Sequence, residues 1–346
     1  MTDLVQIADI VADERRRRNR RMALVVGSLA LLVVIAFALS LMVGRTFYPP
    51  GEVLRVLLGE QVQGATFSVG RLRLPRAVLG MLAGFCFGMA GVAFQTMLRN
   101  PLASPDVIGI SAGASAAAAF AIVVLAWGPS QVGIAAIVGG LVVALLVYFL
   151  AYKGSVLGSR LILIGIGVAA MLESAISYIL SQASDWDLQE AMRWLTGSLN
   201  GASWDQIVPL AIAMVVLIPL LCTQSRDLFI SQLGDDASQA LGVRVGRMRL
   251  VVIVVAVTLL SFATAGSGPI AFVAFLSGPI AGRLVGPGKS LLIPAALVGA
   301  LLVLAADLVG QNLLSVRYPV GVVTGVLGAP FLIYLIVRTY RAGGSL

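Results

Sequence analysis

The sequence predicts an all-α, polytopic membrane protein of about ten transmembrane helices, and three observations carry that reading. Of the 346 residues, 59% are hydrophobic and 12% charged, about half the charged share of a soluble domain, and the mean hydropathy is +0.99. Ten apolar runs of roughly 20 residues follow one another, each long enough to cross ~30 Å of hydrocarbon at about 1.5 Å per residue. The basic residues fall unevenly between the two sides that ten crossings define.

The first run, 22–43, follows a basic cluster of Arg15–Arg18, Arg20 and Arg21. No small-residue cleavage pattern follows it, so it reads as a span and residues 1–21 as a cytoplasmic basic tail. The second, 75–95, opens on Pro75, which suits a first helical turn because no N–H is needed there. Its Gly80, Gly84 and Gly88 recur every four positions and share one face. The third, 107–127, is opened by the Asn100-Pro101 turn, with Asp106 a candidate cap. The fourth and fifth are 131–151 and 161–182, the fifth carrying Glu173 in mid-span beside Ser174 and Ser177. The sixth is 204–224. The seventh and eighth, 249–266 and 269–285, are divided by Gly266-Ser-Gly-Pro269, which predicts a turn inside the membrane thickness. Gly278, Gly282 and Gly286 share a face of the eighth. The ninth, 290–311, holds Asp307, and the tenth, 319–338, leads into a short tail, 339–346. Small-residue faces let helices approach closely in lipid. Packing within the chain is the plain expectation for both glycine faces, and a subunit interface the alternative for one of them.

With the N-terminus inside, 17 of the 24 basic residues lie on the cytoplasmic side, among them Arg99, Lys153, Arg160, Arg226, Arg244, Arg247, Arg249, Arg283 and Lys289. The even number of spans then puts both termini in the cytoplasm. The basic tail beside a span is accounted for by orientation and lipid charge, so no nucleic-acid partner is expected.

The chain has no histidine, which removes the usual general base and the commonest metal ligand. Cys86 and Cys222 both sit in apolar runs and read as lone buried thiols; neither a metal site nor a cofactor is expected. Gly288-Lys289-Ser290 ends like a phosphate-binding loop, but Arg283 stands at the required first glycine and no strand precedes it.

Three polar features remain. Arg71, Arg73 and Arg76 stand on the outer side, at the N-terminus of the second span, where cations are disfavoured. An external anionic partner is one account; headgroup anchoring or pairing with Glu52 or Glu60 is the other. On the inner side Arg99, Asn100, Pro101, Asp106 and Gly109 form an extended turn. The longest cytoplasmic connection, 225–248, contains Leu233-Gly234-Asp235-Asp236-Ala237, then Ala240-Leu241-Gly242. It predicts a short amphipathic helix with acids at its start and glycine at its end. Such a helix has a purpose if something docks on it. Buried acids in a membrane are expensive and either paired or functional. Asp307 reads as a structural pair inside the bundle; for Glu173, lining a pathway and packing stand level.

Together these motifs resemble the FecCD-like permease subunit of type II ABC importers, which move iron-siderophores, haem or cobalamin. The resemblance rests on Arg71–Ser115 with its RNPLA-x-P turn, the 233–243 helix and Trp194-Leu-Thr-Gly-Ser-Leu with Trp204. It rests also on Gly268-Pro-Ile-Ala-Phe-Val to Arg283, Ala305-Ala-Asp307 and Pro319 to Pro330. It implies a type II importer permease fold over 22–338, in a bacterial inner membrane. The implied partners are a second, identical or paralogous permease, two cytoplasmic ATPases and an extracytoplasmic binding protein. ATP is then hydrolysed by the separate subunit and the chain is no enzyme. By the same resemblance Arg71, Arg73 and Arg76 receive the binding protein. Leu233, Gly234, Asp235, Asp236, Ala237, Ala240, Leu241 and Gly242 dock the ATPase, and Glu173, Ser174 and Ser177 are pathway or gate candidates. Iron-siderophore leads as substrate because it is the commonest in the family, with haem or cobalamin the alternative. Two departures bear on substrate and binding-protein contact: Ser277-Gly278 leaves the eighth span without its customary histidine, and Arg317-Tyr318 adds an outer positive charge. A proton-coupled secondary transporter would use Glu173 and Asp307 and discontinuous helices. A membrane enzyme lacks any grouping of nucleophile and base.

Overall fold

Every predicted apolar segment is occupied by a helix in the computed structural model, which describes residues 2–106, 108–151 and 157–341. Val107, the Lys153 counted above and the end of the tail, 342–346, lie outside the described residues. The ten helices on those segments are α1 (Thr2–Met42), α3 (Leu74–Leu98), α4 (Ile110–Val123), α5 (Pro129–Ala151), α6 (Leu157–Ser181), α8 (Trp204–Thr223), α11 (Val245–Ser267), α12 (Val273–Val285), α13 (Leu292–Asn312) and α14 (Val320–Arg341). Shorter helices join them: α2 (Pro50–Leu57), α7 (Asp185–Leu195), α9 (Ser225–Ser231) and α10 (Asp235–Ala240), with a π-helical stretch, Thr66–Arg73, running into α3. Among the described residues, seven helices have the length and apolarity to cross a membrane. The shorter apolar ones are α4, α12 and the Val320–Tyr334 part of α14.

Local chemistry explains the differences in length. No proline interrupts residues 2–42, so the basic tail and the first span are one continuous helix. α4 starts late because Gly109, at φ 86°, turns the chain immediately before it. α12 starts late because Gly268-Pro269 ends α11 and Phe272 adopts a left-handed φ of 64°. The intervening turn is buried, with Ser267 and Ile270 almost fully enclosed, and so sits within the body of the bundle.

α3 is the central helix, 78% of its apolar window being buried. It crosses α13 through glycine: a β-carbon at Gly84 would lie 2.5 Å from the Gly299 carbonyl oxygen, and one at Gly88 would overlap the Ala295 carbonyl. Both glycine faces are therefore used inside the chain, Gly278 on Gln95 and Gly282 on Leu291. Cys86 is buried and Cys222 half-buried, both as free thiols.

Contacts sort the chain into two ends. At one end the C-terminus of α1, the π-helical stretch, Asn200 and the end of α13 meet. At the other, Arg21 of α1 donates to the Leu284 carbonyl at the close of α12 (3.1 Å), and the end of α3 meets α10. These are the outer and inner ends of the predicted topology.

Candidate docking and coupling sites

At the outer end, Arg73 explains its own position. The last carbonyls of a helix lack intrahelical donors. Arg73 Nη1 donates to the Leu41 and Met42 carbonyls, both at 2.9 Å, and Nη2 to the Thr46 carbonyl at 2.7 Å. Its guanidinium also lies 5.1 Å from the centre of the Tyr48 ring. A cation disfavoured at the start of α3 is thus favoured at the end of α1, where the helix dipole is negative. Arg76 forms a bidentate pair with Asp307, Nε to Oδ2 at 2.7 Å and Nη2 to Oδ1 at 2.6 Å, and Nη1 donates to Asn200. The two side chains are 19% and 10% exposed, so the pair is largely desolvated.

Arg73 and Arg76 are thus both engaged within the chain, and Arg71 is the exposed member of the three. Neither Glu52 nor Glu60 supplies the partner; Glu60 pairs with Arg55. Arg71 shares the wall of an open hollow of about 530 Å³ with Arg45, Arg317, Gln311 and Asn312. The sequence marks Arg317 as a departure from the family pattern; the fold brings it, together with Arg45, to Arg71. Beside the hollow, three separate motifs are knitted by backbone: Ser198 N–H donates to the Ser267 carbonyl (2.7 Å) and Gly321 N–H to the Gly197 carbonyl (3.1 Å).

At the inner end α3 closes on Arg99, in the left-handed region at φ 53°. Asn100 Oδ1 accepts from Leu102 N–H at 2.8 Å and fixes the turn into Pro101. Asp106 does not cap α4 as expected. Its carboxylate accepts from the Ser111 and Ser104 hydroxyls, and Gly109 occupies the cap position. Burial pushes the Asp106 carboxyl above the usual carboxylate range, and the two serine hydroxyls pull it back.

The 225–248 connection folds as α9 and α10. Asp235, expected on a docking rim, turns inward: Arg249 of α11 donates to it at 2.9 Å and Arg99 at 3.4 Å. Ser238 is buried and its hydroxyl donates to the Ile230 carbonyl at 3.1 Å. That anchoring turns Asp236, Ala237, Ala240 and Leu241 outward, with Leu233 just before them; Leu233 and Leu241 are 65% and 58% exposed. Arg249 was missed in the sequence, where it passed as one more cytoplasmic charge. Glu173, Ser174 and Ser177 all lie on the exposed surface of α6. The two hydroxyls donate to backbone carbonyls of their own helix, Ala170 and Glu173, at 2.9 Å. Among the described residues no three potential metal-ligating side chains cluster.

Residues 31–338 match the FecCD transport family. The chain belongs to that family. Among curated FecCD relatives, the permease of the achromobactin transport system of Dickeya dadantii is 42% identical over 316 residues, 90% of each chain. The ferric enterobactin permease of Escherichia coli is 38% identical over 93% of this chain and 98% of its own. An Fe(3+)-citrate import permease of Bacillus subtilis is 36% identical, over 92% and 96%. Among solved structures, one described as an inward-facing metal-chelate type ABC transporter superposes with a TM-score of 0.80 at 26% identity, covering 90% of this chain and 98% of that one. The FecCD chain is accordingly a multi-pass transport permease of the ABC importer type.

Proposed function

We propose that this chain forms one half of the translocation pathway of a bacterial inner-membrane ABC importer for ferric siderophores. An extracytoplasmic binding protein delivers the chelate at the outer hollow. Two cytoplasmic ATPases drive the path, one docking on the Leu233–Gly242 surface, and both chain termini lie in the cytoplasm. The observation that carries this reading is α6. It has the length and apolarity of a span, yet only 6% of its apolar window is buried within the chain, and Glu173 stands on its exposed face. A carboxylate facing lipid in mid-span is costly. A second permease across a water-lined path gives Glu173, Ser174 and Ser177 a polar setting. The relatives named for achromobactin, ferric enterobactin and Fe(3+)-citrate transport support an iron chelate as cargo.

Proton coupling through Glu173 and Asp307 is disfavoured by the Arg76 pair, which holds Asp307 in a structural contact. The test is uptake by the reconstituted permease–ATPase complex, with ferric citrate, a ferric catecholate, a ferric hydroxamate, haem and cobalamin titrated against the binding protein by fluorescence quenching. A ferric chelate should quench, and uptake should vanish with a hydrolysis-dead ATPase and survive a protonophore. Loss with the protonophore alone would sink the assignment.

A further inference from the structure

Inside α12, Pro279 has no N–H, so the carbonyl of Phe275, four residues earlier, has no donor within its own helix. The donor comes from another helix. Gln95, 6% exposed on the last turns of α3, donates Nε2 to the Phe275 carbonyl at 2.9 Å. Its carboxamide passes where a β-carbon on residue 278 would stand, and Gly278 leaves that space open. Three residues on two helices are matched: a proline that removes a donor, a glutamine that replaces it, and a glycine that admits the glutamine.

Gln95 lies one helical turn before Arg99, which reaches Asp235 of α10. α9 packs directly on α3 as well. An open hollow of about 450 Å³ lies between these parts, lined by Gln95, Arg99, Gln232, Gly278 and Pro279. α12 has little direct packing against the α9–α10 connection; its polar ties run from the Phe275 carbonyl to Gln95 of α3 and, at its inner end, from the Leu284 and Arg283 carbonyls to Arg21 of α1. We propose that the last turns of α3 are the link through which α10 acts on α12, with Gln95 the positioning residue that makes α12 follow. The proposal rests on reading α10 as the ATPase-docking helix.

The test uses the permease–ATPase complex in nanodiscs, with Gln95→Met, which keeps the length and loses the donor, alone and with Pro279→Ala, which returns an N–H to the Phe275 carbonyl. Gln95→Met should lower the melting temperature by about 2–4 °C, the effect of one orphaned buried carbonyl, and adding Pro279→Ala should restore it. Nitroxide pairs then report motion between ATP-free and ATP–vanadate states, at the exposed positions Arg247 beside α10, Leu284 at the inner end of α12 and Trp186 on α7. In wild type, Arg247–Trp186 should change while Arg247–Leu284 holds constant. In the double variant, stable again, Arg247–Leu284 should also change. A purely structural bond predicts that restored stability brings back the constant distance, and that result overturns the proposal. So does an unchanged melting temperature in Gln95→Met, or a wild-type Arg247–Leu284 distance that shifts. If Arg247–Trp186 is static in wild type, the docking-helix reading itself has failed.

Discussion

Removing one partner of the Arg76–Asp307 pair should unfold the permease at lower temperature and leave its outer surface chemically competent. Breaking a buried pair leaves an uncompensated charge and costs about 3–5 kcal/mol, whereas exposed pairs are worth about 0–1 kcal/mol. Side-chain exposures of 19% and 10% place this pair near the buried end, so Arg76→Gln or Asp307→Asn should each cost about 2–3 kcal/mol. The double variant carries no unpaired charge, and its amides can bond to each other and to Asn200. It should be more stable than the sum of the two singles. The assay is thermal unfolding in nanodiscs read by a thiol-reactive dye in a Cys222→Ser background, because Cys86 is buried until the bundle opens whereas Cys222 is half-buried. Binding-protein affinity is measured per folded complex in parallel. If both single variants melt like wild type while that affinity falls, Arg76 faces outward in solution and the geometry argued above is wrong.

Four further outcomes follow from other sites. Arg71→Glu, at the exposed arginine, should slow association of the binding protein at low salt and leave melting unchanged, a contrast that stopped-flow mixing across ionic strengths resolves. Ala240→Trp or Asp236→Lys should reduce ATPase co-purification without loss of membrane-inserted permease; unchanged co-purification counts against the docking surface. For Asp106, a folded-state carboxyl raised by burial binds its proton more readily than the unfolded chain does. Its stability cost is therefore present above the folded value and relieved as pH falls through it. Asp106→Asn keeps an acceptor for Ser111, so it should flatten that slope and match or exceed wild-type melting at neutral pH. Gly84→Leu should abolish folded permease, since the Gly299 backbone is in the way; normal levels in the membrane would contradict the α3–α13 crossing.

The hydrophobic pattern was sufficient for the ten helical segments because each run reports on its own surroundings. The amphipathic α10 was legible for the same reason: its acids, small residues and closing glycine lie within one short stretch. What sequence could not supply was who meets whom across the bundle. Arg76 and Asp307 are 231 positions apart, and Arg73 acts on a helix that ends some thirty residues earlier. Local rules could say that both arginines were oddly placed, and that oddity was real, but its resolution was internal. Asp235 shows the same limit, since an acid at a helix start looks alike whether it faces a partner subunit or Arg249. Gln95 carried no assignable role in the sequence because a single glutamine near a helix end has no pattern; its meaning depends on Pro279 in a different helix. The expected cap by Asp106 failed because Gly109 turned the chain first and two serines claimed the carboxylate.

The uninterrupted first helix makes α1 a single rod in which the basic tail and the first span move as one piece. Its Thr2–Met42 backbone rises about 60 Å, and Asp9 lies roughly 20 Å short of the first apolar turn at Met22. The outer tip of the rod is clasped by Arg73, and Arg21 grips the α12–α13 corner near the inner boundary. A fluorophore at Asp9 and another near Gly44 would therefore act as the two hands of a lever with fixed length. Any tilt of the end clasped by Arg73 would be read at the other end of the rod, without placing a probe in the pathway itself.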